Sequence, residues 1–395
     1  MAGSPTRPEP AANEAFAARL VEHARRAAAV ADPVREASCA LLAKRGLPSG
    51  RKLETWRYTD LRAFYGSEWL DRGAAGAPSL SLRAANGGAL PSGIVVARSK
   101  PPAPLPTATN ARVDLDRYPL AIVNTLLADE WLTLDVAAGV DAGGLELADA
   151  DVAGRSERIL VRLGAGSRAH LIETEATAAN RVVEVELGAD AQLTHDRYES
   201  SGDAPRWSLV AVDVGERARY VGSLCTFSAA PRRADVHVKL RGREARTELT
   251  GALGSGEAGQ LDVQVVVEHF GRASVSRQTF HGLAAQRSQL TFNGRIEIHP
   301  GADGADARLD SRNLLLASTA RINTKPELEI HTRDVRCGHG ATVGRLDPEQ
   351  LFYLRTRGID ADAARALLTR AFVAACLSPD AIARGLHDRF AALAR

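Results

Sequence analysis

The residues most able to bind a metal ion or to carry sulfur lie in one segment, from Glu327 to Gly344. Thiolate, imidazole and carboxylate groups are the ligand types that iron and other transition metals use in proteins. If one strand with Leu328 and Ile330 on one face runs through this segment, the odd-numbered side chains share the other face. These side chains are Glu327, Glu329, His331, Cys337 and His339.

Cys337 and His339 form the strongest pair in this segment. Two residues apart on a strand, they are about 7 Å apart, at about 3.3 Å per residue, so both can serve one site that a partner chain completes. A structural role stays open, because a Cys and a His at this spacing also occur by chance. Gly338 and Gly340 flank the histidine and favour a turn or a close backbone approach. We therefore predict Cys337 and His339 as the residues that bind a metal or cofactor transiently, and we predict no catalytic residue.

The remaining cysteines and histidines have weaker signals. Cys39, Cys225 and Cys376 lie within apolar patterns and are expected to be packing residues. Three isolated histidines on strand patterns are expected to be hydrogen-bonded or exposed residues rather than ligands: His195, His237 and His281. The four cysteines of the chain are widely spaced and contain no Cys-x-x-Cys pair, which is typical of a reduced, cytoplasmic protein.

Several classes of function have no support in the sequence. There is no phosphate-binding loop, no Gly-x-Ser-x-Gly elbow and no His-Glu-x-x-His zinc helix, so the chain is not expected to be an enzyme. The formal net charge of +2 gives no electrostatic reason to expect a nucleic acid or a membrane as partner. No apolar run approaches the roughly 20 residues that span a bilayer, and residues 1–10 do not resemble a secretory signal.

The elements that must position Cys337 and His339 fall into three zones. Residues 1–92 are predicted to be a helical region followed by a Gly/Ala/Ser-rich linker at 66–92, with Asp32-Pro33 as a helix start and Gly46 as its end. Residues 93–345 contain alternating apolar and polar runs typical of strands, without a full-length amphipathic helix. Residues 346–395 are predicted to be a helical subdomain, with helix starts at Asp347, Asp360 and Ser378.

A weak internal repeat runs through the middle zone. An apolar residue is followed by Gly, two variable residues and then Ala or Ser, and the glycines are Gly164, Gly188, Gly215, Gly242 and Gly271. Their spacing of 24, 27, 27 and 29 residues suits a β-solenoid in which the small residue points inward at each corner. A β-sandwich is the alternative architecture.

Long stretches of the chain resemble the SufB/SufD family of iron–sulfur cluster assembly scaffold proteins, and within it the SufD branch. The matching segments are Leu314–Leu316, Thr324–Ile330, Cys337–Gly344, Leu351–Ile359 and, near the N-terminus, Glu54–Thr59. The SufB branch has a His-Glu pair where this chain has His339-Gly340, so a SufB-type carboxylate ligand is not expected here. The family often has Ser where Gly338 lies.

The resemblance implies a β-helix core flanked by helical subdomains, and a non-catalytic scaffold role. It implies pairing with a SufB-like paralogue through the β-helices, with a homodimer as the alternative in isolation. It also implies binding of a SufC-like ABC ATPase through the C-terminal helices. Cys337 and His339 would then lie near the interface where an iron–sulfur cluster or iron is held transiently, without a tightly bound cofactor in the isolated chain; flavin binding by the complex stays open. The alternatives are a purely structural solenoid subunit and a solenoid enzyme acting on a polysaccharide.

Overall fold

The computed structural model describes residues 10–27, 32–47, 54–59, 64, 80–100, 104–106, 109, 111–128, 130–148, 155–174, 180–199 and 205–394. The strands, in chain order, are β1 Ser81–Ala84, β2 Ile94–Ser99, β3 Glu130–Val136, β4 Asp141–Ala148, β5 Ser156–Leu163, β6 Arg168–Thr174, β7 Asn180–Leu187, β8 Gln192–Glu199, β9 Arg206–Val214, β10 Arg219–Ser228, β11 Arg232–Leu240, β12 Arg246–Ser255, β13 Gln260–His269, β14 Val275–Ala284, β15 Gln289–Ile298, β16 Ala305–Leu315, β17 Arg321–Ile330 and β18 Val335–Gly344. The helices are α1 Pro10–Ala27, α2 Pro33–Arg45, α3 Leu120–Leu127, α4 Pro348–Thr356, α5 Ala361–Ala374, α6 Pro379–Ala383 and α7 Leu386–Ala392, with a 3-10 turn at Glu54–Trp56.

The strands form a flattened β-solenoid built from two nine-stranded sheets. Sheet A has the order β1-β4-β6-β8-β10-β12-β14-β16-β18, and sheet B has the order β17-β15-β13-β11-β9-β7-β5-β3-β2. Successive coils pair in parallel, while β1 and β2 pair antiparallel at the N-terminal end. The prediction of a β-solenoid is therefore confirmed, and the β-sandwich alternative is wrong.

The repeated glycines mark one corner of the solenoid, where each turn stacks directly on the turn before it. A Cβ on Gly215 would lie 2.5 Å from the carbonyl oxygen of Leu187, and a Cβ on Gly271 would lie 1.8 Å from that of Gly242. Only a residue without a side chain allows two backbones to approach so closely. The small residues that follow these glycines are fully buried at the corner, as the repeat predicted: Ser167, Ala191, Ala218, Ala245 and Ser274.

The two sheets enclose an apolar core of Val, Leu, Ile and Phe side chains from their inward faces. The N-terminal elements cover part of the outer face of sheet B, where α3 and Trp56 pack around Trp207. The C-terminal helices cover part of the outer face of sheet A, where Phe390 packs against Phe227 at a ring-centroid distance of 4.1 Å. The flanking helices are therefore built onto the solenoid rather than held apart from it.

The helix caps predicted from the sequence are present, with one break that was not predicted. The side chains of Asp32, Asp347 and Asp360 each accept hydrogen bonds from the first backbone N–H groups of their helices. The last helix was expected to run from Ser378 to the C-terminus. It is divided into α6 and α7, because Gly385 adopts a left-handed conformation with φ of 71°.

Two elements lie where none was predicted. Strand β1 pairs with β4 in sheet A, although it falls in the segment 66–92 that the composition assigned to a linker; residues 65–79 lie outside the described part of the chain. Helix α3 interrupts the strand zone and is buried on every side. Its Asn124 donates from its amide to the backbone carbonyl oxygen of Glu157 at 3.0 Å, which fastens the helix to sheet B.

Candidate functional site at the open end of the solenoid

The last coil of the solenoid ends in two strand edges that no described strand covers. Strands β17 and β18 are the terminal strands of sheets B and A, and each is ten residues long. Their inward-facing positions lack a further coil, so Leu328, Ile330 and Val343 are 36%, 43% and 44% exposed. Long free edges beside exposed apolar side chains are a template for pairing with another chain.

Cys337 and His339 lie on β18 in this open coil. They pair with Ala307 and Leu309 of β16, which are buried inside the solenoid. Because side chains stack in register between parallel strands, Cys337 and His339 occupy the inward-facing positions of the coil that has nothing stacked upon it. The structure therefore brings this pair together on one face of one strand, at the uncovered end.

The two side chains differ in exposure. Cys337 is half-buried against the end of the apolar core, and burial raises the pKa of its thiol, opposed by a hydrogen bond from the Gly338 backbone. His339 is exposed, and no hydrogen bond from another described side chain or backbone group holds its ring. The thiol needs a metal ion or a cationic group to become a thiolate, whereas the imidazole is free to bind a metal directly.

The three other predicted members of this ligand face lie elsewhere. Glu327 and Glu329 are on β17 in sheet B, paired with Arg295 and Glu297 on the outer face, and His331 lies in the turn that follows. The assumption of one continuous strand was wrong, because the chain turns between Ile330 and Val335 and enters the other sheet. The carboxylates and Cys337 are therefore on different sheets.

The glycines beside His339 do not form the predicted turn. Gly338 and Gly340 lie within the regular strand β18 and face outward, next to the positions of Arg308 and Asp310. A Cβ added to Gly338 would meet no atom within 4 Å, so the fold of this chain alone does not require glycine there. The two glycines leave the middle of the outer side of β18 without side chains, as at strands that another backbone approaches closely.

The N-terminal motif around Trp56 anchors the N-terminal region to sheet B. The Arg233 guanidinium lies 3.8 Å from the centroid of the Trp56 ring and donates a hydrogen bond of 2.6 Å to the Thr55 carbonyl oxygen. Arg233 is itself paired with Asp235 and Asp262 beneath the motif. This segment therefore has a positioning role in the fold, far along the chain from Cys337.

A buried cluster of charged residues inside the solenoid was missed by the sequence analysis. Glu173 of β6 pairs with Arg181 of β7 across the interior at 2.9 Å and with His195 of β8 at 2.6 Å. Burial alone raises the pKa of Glu173, but the hydrogen bond from His195 and the charges of Arg197 and Arg181 hold it well below its usual range. The cluster is a network of buried ion pairs within this chain. No spacing rule pairs its members, because they come from separate coils.

The other cysteines and histidines are packing or hydrogen-bonded residues, as predicted. Cys225 and Cys376 are buried, and burial raises the pKa of each thiol to about 12. His195 and His237 bind glutamates, and His281 hydrogen-bonds the Phe372 carbonyl oxygen at 2.6 Å. None of these residues contributes to the open end.

A second exposed surface lies on the C-terminal helices. Helix α4 has no buried residue, and its Phe352 and Tyr353 are 69% and 56% exposed. An open groove of about 440 Å³ runs beside Tyr353 and reaches Leu368 of α5. The exposed aromatic pair and the groove make this surface a candidate for protein binding. No helix in the described ranges is both long enough and apolar enough to span a bilayer.

Comparisons with known proteins agree with this architecture. A protein-family model described as "SUF system FeS cluster assembly, SufBD core domain" matches residues 146–372. The chain is 32% identical over 196 residues to the iron–sulfur cluster assembly SufBD family protein slr0076 of Synechocystis, which is 49% of this chain and 43% of the relative. It is 41% identical to the iron–sulfur cluster assembly protein SufD of Escherichia coli over 113 residues, which is 29% of this chain and 27% of the relative.

The match to a second SufD protein is similar in extent. The Bacillus subtilis protein is 39% identical over 125 residues, covering 32% of this chain and 28% of the relative. The aligned segment thus spans less than half the length of each of these relatives.

Proposed function

Because the chain belongs to the SufBD family of iron–sulfur cluster assembly proteins, we propose that it is a SufD-type scaffold subunit that pairs with a SufB-like paralogue and binds a SufC-like ABC ATPase. The observation that carries this proposal is the open last coil, which places Cys337 and His339 beside two free strand edges. The cluster or its iron is cargo of the complex, and this chain does not perform a reaction on its own.

The paralogue is proposed to pair with the edges of β17 and β18. Backbone hydrogen bonds along a strand edge provide affinity, while the side chains beside it provide specificity. The exposed Leu328, Ile330 and Val343 supply apolar surface that pairing would remove from water. Gly338 and Gly340 leave room for a second backbone against β18.

Within that interface, Cys337 and His339 are proposed to bind iron or sulfur transiently. A thiolate and an imidazole suit iron, and one strand supplies only part of a coordination shell. The missing ligands would come from the facing chain, since among the described residues no cluster of metal-ligand side chains includes Cys337 or His339. Pairing would also exclude water, so the proposed site is complete only in the complex.

The ATPase is proposed to dock on residues 346–395, with α4 as the contact surface. Phe352 and Tyr353 are both exposed to solvent. Leu367 of α5 is 42% exposed and directly precedes Leu368, which lines the groove. The remaining helices pack on sheet A through Val373 and Phe390. A pull of the ATPase on α4 would therefore be transmitted to the outer face of the same sheet that ends in β18.

The proposed function is tested by producing the chain together with a SufB-like protein and a SufC-like ATPase from one organism. The expected result is a stable complex of the three chains that assembles a cluster from ferrous iron and a sulfur donor and passes it to an apo acceptor. The isolated chain is expected to assemble none. Failure of the three chains to co-purify, or full assembly without this chain, would refute the proposal.

We expect the double substitution Phe352→Ala/Tyr353→Ala to weaken ATPase binding by at least about 100-fold, because buried aromatic residues are typical interface hot spots. Folding should be unchanged, since α4 buries no residue. The matched control is Val95→Ala on β2, an apolar side chain that is 60% exposed at the opposite end of the solenoid. Binding is measured by calorimetry, and pairing with the paralogue by gel filtration. Unchanged ATPase affinity in the double variant would exclude α4 as the dock.

A further inference from the structure

A second set of metal-ligand side chains lies on the outer face of sheet B, near its C-terminal end. Glu268, Glu297 and Glu329 occupy the same register position on β13, β15 and β17. His299 and His331 follow β15 and β17 at the adjoining corner. These five residues form a column across three successive coils, on a different sheet from Cys337.

The inner part of this column has the spacing of a coordination shell. The Nε2 atom of His299 lies 2.7 Å from Oε2 of Glu268 and 3.5 Å from Oε1 of Glu297. Donor atoms that surround one ion at 2.0–2.2 Å are about 3 Å apart. Because the donor atoms of all three residues lie within 4.8 Å of one another, a small movement of the side chains is enough to enclose an ion. We call Glu268, Glu297 and His299 the inner triad.

Neighbouring groups orient the inner triad. The ring of His299 is stacked on Phe270 with centroids 4.0 Å apart and an angle of 8° between the planes. Buried His237 hydrogen-bonds Glu268 from the opposite side. A second residue that fixes the orientation of a ligand is the usual arrangement around metal sites.

Two arginines face the same glutamates. Arg117 and Arg295 lie 3.7 and 3.5 Å from Oε2 of Glu297, which leaves its Oε1 atom directed towards His299. Arg295 also pairs with Glu329 and lies 3.7 Å from Glu327. The arginines therefore hold one oxygen of Glu297 and leave the other for a ligand.

The outer members of the column connect this position to solvent. Nε2 of His331 lies 3.0 Å from Oε1 of Glu329, and both side chains are more than 40% exposed. The donors of Glu297, Glu329 and His331 also lie within 4.8 Å of one another. We call Glu297, Glu329 and His331 the outer triad, which shares Glu297 with the inner triad. An ion can thus pass from exposed to more buried donors along one column.

We propose that the inner triad binds one divalent first-row transition-metal ion and that Glu329 and His331 line its path from solvent. Carboxylate and imidazole ligands suit Fe²⁺, Mn²⁺ and Zn²⁺. The ion carries two positive charges into a group of three glutamates that the two arginines only partly neutralise. This proposal does not depend on partner subunits, because all of its ligands come from one chain.

The test uses the full chain carrying Cys337→Ser and His339→Ala, so that the open-end pair cannot bind the probe. Co²⁺ is titrated and followed by its visible absorption, and anaerobic Fe²⁺ is then added as a competitor. One Co²⁺ per chain is expected, and a large excess of Fe²⁺ should displace it, because such sites generally bind Fe²⁺ more weakly than Co²⁺. Glu297→Gln, which keeps the shape of the side chain, should weaken Co²⁺ binding by at least 100-fold.

Three further variants decide where the ion lies. Glu327→Gln removes a neighbouring carboxylate of β17 outside the two triads and should change the affinity by less than threefold. His299→Ala should abolish binding, whereas His331→Ala should weaken it by less than tenfold. Circular dichroism of each variant confirms that it is folded.

The opposite results would overturn the proposal. If the chain with Cys337→Ser and His339→Ala binds no Co²⁺, or if Glu297→Gln binds it as tightly as its parent, the column is an ion-pair network only. If His331→Ala abolishes binding while His299→Ala does not, the ion lies in the outer triad and the assignment to the inner triad is wrong. If Glu297→Gln and Glu327→Gln weaken binding equally, surface charge rather than coordination holds the ion.

Discussion

Replacing His339 with alanine is expected to lower cluster assembly by the complex at least tenfold, while the three subunits still co-purify. The imidazole is exposed on the last strand and makes no hydrogen bond to a described residue, so its removal should not cost folding energy. Loss of a group that orients or binds a metal typically lowers affinity or activity by 10- to 100-fold. The measurement is the rate of cluster formation from ferrous iron and a sulfur donor, followed by absorbance.

Two further variants separate the role of the imidazole from that of the strand. Thr342→Ala changes an exposed, outward-facing residue of the same strand and should leave assembly unchanged. Cys337→Ser should lower assembly as strongly as His339→Ala if the thiol binds the cargo. Normal assembly by the His339→Ala complex would remove this residue from the site. Normal assembly by both single variants would favour a purely structural role for the last coil.

Replacing Gly271 with alanine is expected to destabilise the solenoid by about 3 kcal/mol or more, the upper end of the usual cost of overpacking. The new Cβ would lie 1.8 Å from the carbonyl oxygen of Gly242, and backbone cannot rotate away as a side chain can. The midpoint of thermal unfolding should fall by at least about 5 °C, and circular dichroism measures it. The coils on both sides of this corner would have to separate, which disturbs β13 and β14.

Ala273 provides the matched control in the same turn. It has a φ of 51°, in the left-handed region that costs an L-residue about 1–2 kcal/mol. Ala273→Gly removes this strain. It also makes the unfolded chain more flexible, which lowers the free energy of unfolding by about 0.4–1 kcal/mol. The net change should be below about 1 kcal/mol, in the stabilising direction. Equal destabilisation by both substitutions would show that the turn tolerates no change, rather than that stacked backbones exclude a Cβ at Gly271.

The solenoid could be predicted because one physical constraint, the close stacking of turns at a corner, selects the residue types of its repeat. Gly215 and Gly271 have to be glycine wherever turns stack, and Ala218 and Ala245 have to be small where the corner closes. Capping residues such as Asp347 act on the next few residues, so helix starts were predictable too. The capping residues act within a few residues, and the stacked corner shows in the sequence as a repeat of the same residue types.

The errors arose where no repeat and no capping residue marks the structure in the sequence. Helix α3 is mostly apolar and is buried on every side, and Pro119 at its N-cap offers no capping side chain, so its pattern resembles a buried strand. The turn after Ile330 contains no glycine or proline, and Thr332 is held there by a hydrogen bond to Asp303 of the preceding coil. Because no residue type marks this turn, the sequence predicts a single strand, and a single ligand face, from Glu327 to His339.

The column of Glu268, Glu297 and Glu329 was equally hidden. Its members are about one coil apart in the sequence, and only the register of three parallel strands places them side by side. A metal site whose ligands come from different coils has no short sequence motif. Its ligands can be predicted only from the register of the strands, which follows from the period of the repeat.

The free edge of β18 also has a consequence for this protein when it is produced in excess, namely self-association. Copies of this chain that lack the proposed paralogue would present the same free strand edges to each other, and such edges favour pairing between identical chains. Homodimers formed in this way would bury Cys337 and His339, so that these residues could not take up the proposed role in cluster assembly. The amount of the proposed complex would then depend on the ratio of this chain to its paralogue rather than on the amount of either subunit alone.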